Sequence, residues 1–482
     1  MSGASRRAVL AGIVGGAAAG AVPGSATGRA AGRAARPSAL PFAFRRTPYR
    51  IRTLSAAELP YATTAAGPLR GAETYDAHGV VMRSVDGVSY DHPVLQAQWI
   101  ITRLASFGHN RDPAYLRGAE LHAARLLHNA VRARGALYLP YPFDWPLHFD
   151  RADMMVAPWY SAMAQGQALS AFTRLHAVTG AARYRAAAEG LFASFRNLRA
   201  RTGPWTVDVD RAGYLWFEEY AKWPGPDRAY NGHVYAVYGL LDHHRATGSA
   251  EAGALLQGGL TAAYAYQRRL RQPGWASRYC LGHSRYAYDS YHAIHVQQLY
   301  QLYTITGELA FARAADAFRA DFPADLLPGS GWVSAGRHEV LSLDREGAVA
   351  ARGTVALPRG AVFPVTKRAA ARGHLGVWLR IAAPPFQGRW VRERPGVAFR
   401  RGVAEWLPFA PPRLVRFRRG TYTGFRYGAD GTVRARRSGT LSADSAAHAR
   451  GRCLVDGAPH VLVADGLWAG YYVPLTPGVA VV

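Results

Sequence analysis

The sequence predicts a mainly α protein in which helical hairpins build an α/α toroid (a helical-hairpin barrel), followed by two small all-β modules. Three observations carry this expectation. First, a glycine-marked corner recurs at Ser106-Phe107-Gly108, Val178-Thr179-Gly180, Ala246-Thr247-Gly248 and Ile305-Thr306-Gly307, at spacings of 72, 68 and 59 residues. Glycine suits the left-handed residue that ends a helix, and an amphipathic, Ala-rich stretch such as Tyr184–Phe195 or Leu309–Phe322 follows each corner. Second, helical patterning gives way near Leu327 to glycine, valine and period-two alternation. Third, that region repeats internally. Gly336, Gly347 and Val349 align with Gly420, Gly431 and Val433 at an offset of 84, and Gly388, Trp390 and Pro395 with Gly470, Tyr472 and Pro477 at 82. A general helical bundle would share the first observation and remains the alternative to a ring.

Taken in order, the chain opens on Ser5-Arg6-Arg7-Ala8-Val9-Leu10 and an Ala/Gly-rich apolar run to about Val22. This pattern reads as a twin-arginine signal peptide over 1–31, too short and Gly-rich for a stable membrane span. It predicts a secreted or cell-surface protein. Residues 32–90 read as an extended arm with a short β segment at Tyr75–Met82. Residues 91–325 read as the helical domain, and 326–407 and 408–482 as the two β modules, joined near Pro408–Pro412. The turn Ala429-Asp430-Gly431 suits a hairpin in the second module.

The 482 residues are enough for two or three domains with sizeable cores. The net charge is +26, nearly all of it arginine, since Lys222 and Lys367 are the two lysines. Such a charge attracts polyanions: nucleic acid, an acidic polysaccharide or an anionic cell wall. Nucleic acid is the weakest of these, because aromatics do not interleave with basics in a recognition motif. The arginine run Arg413–Arg419 reads as a solvated β face. The two cysteines, Cys280 and Cys453, predict no disulfide, and no Cys/His metal-ligand spacing stands out. No cofactor or metal is expected.

The chemistry concentrates in Trp216-Phe217-Glu218-Glu219-Tyr220, with Asn231-Gly232 soon after, and in a second group at Tyr279, His283, Tyr286, Tyr288, Asp289, Tyr291, His292 and His295. Carboxylates and phenols beside aromatics suit a cleft that stacks a sugar and moves a proton. The two segments are expected to face each other across one site. Asn231 suits a helix start, and His295, four residues from Tyr291, shares a helix face with it. Gln165 and Gln167 lie on different helix faces, so at most one should reach the cleft.

The segment Pro158-Trp159-Tyr160-Ser161-Ala162-Met163-Ala164-Gln165-Gly166-Gln167-Ala168 resembles the Trp-Tyr-Ser-Ala-Met-Ala-Gln-Gly-Gln motif of D-glucuronyl C5-epimerases. Glu218-Glu219-Tyr220 resembles that family's Glu-Glu-Tyr-Pro segment, with Ala221 in place of proline. Ser290–Leu299 resembles its Asp-Tyr-His-x-x-His-x-x-Gln-Leu signature, and Tyr90-Asp91-His92-Pro93, with Gln96 and Gln98, an earlier segment. These motifs fall in family order over residues 75–325.

The resemblance implies an α/α toroid and inversion at carbon 5 of a glucuronate in an acidic polysaccharide. It implies catalytic roles for Glu219, Tyr220, Tyr279 and Tyr291, and substrate contacts for Trp159, Tyr160, Gln165, Asn231 and His295. Gly282 stands where the family's Tyr-Asp-Leu-Arg-His segment carries arginine, so Arg278 or Arg285 is expected to hold the substrate carboxylate instead. A polysaccharide lyase would use the same first step, and a non-catalytic glycan-binding protein would use the β modules, which loosely resemble those of secreted cell-wall enzymes at Gly466–Val473.

Overall fold

This computed structural model describes residues 40–272, 276–283, 289–321, 326–344, 348–370, 377–428, 433–455 and 458–482. The signal peptide, Arg285, Tyr286, Tyr288, Gly347 and the Ala429–Gly431 turn lie outside the described residues. The chain divides into two compact units: residues 1–267, 279–286 and 301–308 form one, and 268–278, 287–300 and 309–482 the other. Both cysteines are buried and free.

In the first unit a three-stranded meander, β1 (Thr74–Tyr75), β2 (Val81–Val85) and β3 (Val88–Tyr90), precedes the helices. Helical hairpins then follow: α1 (Pro93–Asn110) with α2 (Pro113–Asn129), α3 (Ala162–Thr179) with α4 (Ala182–Ser194), and α5 (Tyr230–Thr247) with α6 (Ala250–Leu270). Short hairpins separate them: β4 (Val131–Ala133) with β5 (Ala136–Tyr138), β6 (Trp145–Pro146) with β7 (Met154–Met155), and β8 (Val207–Val209) with β9 (Leu215–Phe217).

Local chemistry accounts for the helix ends. Gly180, Gly248 and Gly307 all adopt left-handed φ near 70° at their corners. The corner expected at Gly108 falls instead at Arg111 (φ 58°), whose N–H closes on the Phe107 carbonyl; Asp112 and Pro113 then start α2 at once. His92 caps α1 by accepting from the Leu95 N–H at 3.1 Å. Asp91 accepts from Gln96 and pairs with Arg125, so this early segment fastens α1 to its neighbours. Helices α3 and α5 cross backbone to backbone, because a Cβ at Gly166 would run into Ala236 and one at Gly239 into the Gly166 carbonyl. The arm is pinned rather than loose: Arg45 N–H bonds the Gly213 carbonyl, and Thr47 and Tyr49 bond Thr261 and Gln257 on α6.

Two further helices, α7 (Asp289–Thr306) and α8 (Leu309–Asp321), lead to the β region, which opens at Leu326. The β region has two halves, each of seven antiparallel strands, sharing one strand. The first contains β10 (Leu326–Val333), β11 (Gly336–Leu343), β12 (Val349–Leu357), β13 (Ala361–Ala370), β14 (Val377–Ile381), β15 (Trp390–Arg392) and the start of β16 (Val397–Phe417). The second contains the end of β16, β17 (Gly420–Tyr427), β18 (Val433–Leu441), β19 (Ser445–Val455), β20 (Ala458–Val463), β21 (Tyr472–Pro474) and β22 (Val479–Val481).

Their strand orders, β12-β11-β15-β14-β13-β10-β16 and β18-β17-β21-β20-β19-β16-β22, are the same order twice. The join near Pro408–Pro412 therefore falls inside the continuous strand β16, where the ladder with β19 shifts register between Pro408 and Arg413. Prolines cannot donate to a ladder, so a shift there is expected. Separate cores form around Val365, Leu379 and Phe386 in one half and Phe417, Val461 and Trp468 in the other. Arg416, Arg418 and Arg419 are exposed, as expected of a solvated arginine face, and Arg413 is the exception: its side chain is 3% exposed and pairs with Asp316 of α8 at 3.4 Å. Period two places Arg413 on the inner face with Val415 and Phe417.

Candidate active site

Strand β9 delivers the central segment. Glu218 N–H bonds the Thr206 carbonyl, and Ala162 N–H bonds the Glu218 carbonyl, so the carboxylates are anchored between the β8–β9 hairpin and the start of α3. His233 on α5 accepts from the Phe217 N–H at 3.1 Å and contacts the Gly259 carbonyl at 2.9 Å. Burial pushes this histidine down to about 4, which suits a neutral tie.

The two adjacent glutamates diverge. Glu218 is fully buried; it accepts from the Arg228 N–H at 3.1 Å and pairs with the Arg228 guanidinium at 3.4 Å, which also holds Asp208 at 2.6 Å. Burial raises its carboxyl to about 7 against the pull of Arg228. It is a latch between loops. Glu219 instead meets phenols. Tyr279 donates to its Oε1 at 3.1 Å, and the Tyr220 and Tyr279 hydroxyls lie 3.2 Å apart. Burial raises Glu219 to about 7, while hydrogen bonds from Tyr279, Tyr220 and the Gly232 N–H pull the other way. The Asn231-Gly232 pair now has a reason: a Cβ at Gly232 would run into the Glu219 side chain. Glycine lets the carboxylate lie against the first turn of α5, where backbone N–H groups favour negative charge.

Aromatic packing fixes the phenols. Tyr220 leans on Trp159 with ring centroids 5.9 Å apart, and Trp159 stacks on Tyr141 at 3.7 Å. The edge of the His148 ring meets Tyr279 at 5.5 Å. The structure thus brings Glu219, Tyr220 and Tyr279 into one hydrogen-bonded triad. The two segments were expected to face each other across one site, and here Tyr220 and Tyr279 touch; the residue 279 segment pairs with the start of α5 through an antiparallel bridge between Cys280 and Ala229.

The expected sugar contacts mostly serve the core. Trp159 is buried and donates to the Phe143 carbonyl at 2.8 Å, so it supports Tyr220 rather than offering a platform. Gln165 is fully buried and ties α3 to Leu137, Leu139 and Ser194. Gln167 is buried as well. Tyr160 is half-buried, with its ring at 5.6 Å from Tyr138. Asn231 is buried in the first turn of α5, whose cap residue is Ala229. In the second unit, His295 is fully buried on Ser277 Oγ at 2.8 Å, and burial lowers its pKa to about 3. Tyr291 sits half-buried on α7, and the Arg278 guanidinium contacts the Arg269 carbonyl at 3.4 Å.

Sequence reasoning missed a second group below Tyr279. Asp227 is buried and receives His148 Nε2 at 3.1 Å and His283 Nδ1 at 2.5 Å, with Cys280 Sγ 3.6 Å from His148. Burial would raise Asp227, but the two histidines bring it down to about 2. Its signal in sequence is slight: three of the four residues lie far apart, and Lys222-Trp223-Pro224-Gly225-Pro226 reads as plain loop.

The comparisons agree with the motif reading. Residues 138–320 match the family described as D-glucuronyl C5-epimerase C-terminus. The matched stretch contains Glu219, Tyr220 and Tyr279. Among solved structures, a GH76 α-mannanase from Bacteroides thetaiotaomicron is similar at 12% identity and a TM-score of 0.37, covering 52% of this chain and 64% of that one. Cellobiose 2-epimerase from Spirochaeta thermophila is similar at 14% identity and 0.33, covering 47% and 58%. The corresponding enzyme from Bacillus thermoamylovorans gives 13% and 0.39, covering 60% and 73%. This chain thus spans less than two thirds of the first two. No helix among the described residues is long and apolar enough to cross a membrane.

Proposed function

We propose that the helical region is an α/α toroid that inverts carbon 5 of D-glucuronate residues in an acidic polysaccharide. The observation that supports this best is the Glu219–Tyr279–Tyr220 triad inside the family-matched segment. The proton at carbon 5 is acidified by the neighbouring carboxylate, and its removal pushes charge onto that group. An ionised Glu219 accepts the Tyr279 proton as that phenol takes the carbon 5 proton, and Tyr220 hydrogen-bonds the same oxygen through the change. A carboxyl poised near 7 is matched to this work. Inversion also needs a second proton carrier on the opposite sugar face. The reading extends to an exported protein, on the Arg6-Arg7 start, and to β modules that hold cell-wall or glycan polymer.

A polysaccharide lyase is the second reading, and one observation favours it. Tyr220 and Tyr279 share a hydrogen bond, and a phenol pair on one face suffices to take the carbon 5 proton and protonate the oxygen leaving carbon 4. Proton NMR in deuterium oxide with a panel of glucuronate polymers separates the readings. Epimerisation incorporates deuterium at carbon 5 and builds the inverted uronate, whereas elimination yields an unsaturated uronate. No exchange with any polymer would sink both and favour a binding protein.

A further inference from the structure

We propose that His148, Asp227, Cys280 and His283 form a binding site for a divalent, zinc-type metal ion that locks the turn carrying Tyr279. One donor atom from each residue lies within 4.8 Å of every other. The closest approaches are 3.1 Å from His148 Nε2 to Asp227 Oδ1, 2.5 Å from His283 Nδ1 to the same oxygen, and 3.6 and 3.8 Å from Cys280 Sγ to the two rings. Ligands around tetrahedral zinc, at bonds of about 2.0–2.3 Å, stand roughly 3.3–3.8 Å apart. The four side chains need only small shifts to open around an ion.

Three further observations point to a ligand. Asp227 Oδ2 is buried and has no hydrogen-bond partner among the described residues, although Asp227 is 1% exposed. Such an orphan oxygen costs free energy unless something meets it. His283 presents its other nitrogen, Nε2, to Asp153 Oδ2 at 3.0 Å, and Lys222 pairs with Asp153 in turn. A carboxylate behind a metal-bound imidazole is the usual outer support, because it fixes the tautomer and orients the ring. The turn itself is also preshaped. His283 N–H points at Cys280 Sγ at 3.3 Å, and Gly282 N–H bonds the Asp227 carbonyl at 2.9 Å. A Cβ at Gly282 would stand 3.0 Å from that carbonyl oxygen. The glycine at the family's arginine position therefore allows the turn to close on Asp227.

The donor set, one thiolate, two imidazoles and one carboxylate, fits zinc, or cobalt as its spectroscopic stand-in. With all four positions supplied by protein the site is closed, and its role is to hold the fold rather than to activate water. Binding releases to solvent the Cys280 thiol proton and the ring protons that His148 Nε2 and His283 Nδ1 share with Asp227; both nitrogens then offer lone pairs to the ion while His283 Nε2–H donates to Asp153. The ion ties residue 148, the residue 227 loop and the 280–283 turn together, one residue from Tyr279. This inference does not depend on the epimerase reading.

The full chain, stripped of metal and titrated with cobalt(II), tests it. The expected result is binding of a single ion with tetrahedral ligand-field bands and a thiolate charge-transfer band. Cys280→Ser should abolish the charge-transfer band, while Cys453→Ser should leave it intact. Asp153→Asn, which keeps all four ligands and so guards against a simple folding defect, should weaken cobalt affinity about 10–100-fold. Absence of these bands in folded wild type, or identical bands and affinity in Cys280→Ser and Asp153→Asn, would overturn the proposal.

Discussion

Glu219 and Asp227 are buried carboxylates of the same unit with opposite proton affinities. Burial pushes both upward. Glu219 stays high, near 7, because burial and the charge of Asp227 outweigh its hydrogen bonds from two phenols and a backbone N–H. Asp227 falls to about 2 because two histidines share one of its oxygens. Two acids in similar burial thus do different work: one is poised to exchange a proton near neutral pH, the other stays ionised as an anchor. Glu218 sharpens the contrast. It too rises to about 7, yet its partner is Arg228, and it serves as a latch.

The largest expected effect is on the phenol nearest both groups. Tyr279→Phe removes the hydrogen bond to Glu219 and should slow carbon 5 exchange about 10²–10⁴-fold, the usual worth of a positioned proton carrier. Exchange at the wild-type rate would take Tyr279 out of the chemistry. Gly232→Ala comes next. The added methyl meets the Glu219 side chain, so overpacking should cost about 1–3 kcal/mol of stability, read from denaturant midpoints.

Stability against pH breaks the comparison more finely. Glu218 and Glu219 have folded values raised above the ordinary 4.5 to about 7. Each therefore contributes stability that is fully present below 4.5 and lost as pH rises through 7, up to about 3 kcal/mol per carboxyl. Glu219→Gln should flatten the fall in unfolding free energy between pH 5 and 8, and a slope unchanged from wild type would refute the assignment. The smallest effect on the chemistry belongs to Gln165→Ala. Cutting its ties to Leu137 and Leu139 should cost about 1–3 kcal/mol and leave KM unchanged; a large rise in KM would return Gln165 to the substrate.

Much of the fold was legible because its signals are local. Left-handed glycines mark the corners at Gly180, Gly248 and Gly307, and period-two alternation marks the strands. The corner at Gly108 misled because Arg111 takes the left-handed position itself, paired with a strong Asp-Pro start. The repeat was legible at Gly336 and Gly420, but the strand that joins the halves runs through the prolines that suggested a break. In the site, Glu219 and Tyr220 stood out by composition. Trp159 and Gln165 looked like site residues because a recognisable motif surrounds them, yet their polar atoms are spent on backbone partners. The Asp227 group was invisible, since closeness in space between residues 148, 227 and 280 leaves no spacing to read.

The pH dependence of carbon 5 deuterium exchange in wild type and Glu219→Gln tests the central claim most directly. With Glu219 near 7 and active when ionised, wild-type exchange should climb through pH 7 and level off above it, and the Gln variant should lose both the step and about 10²-fold in rate. A Gln variant that keeps the same step and the same plateau would contradict the account, because the proton would then be moving without Glu219.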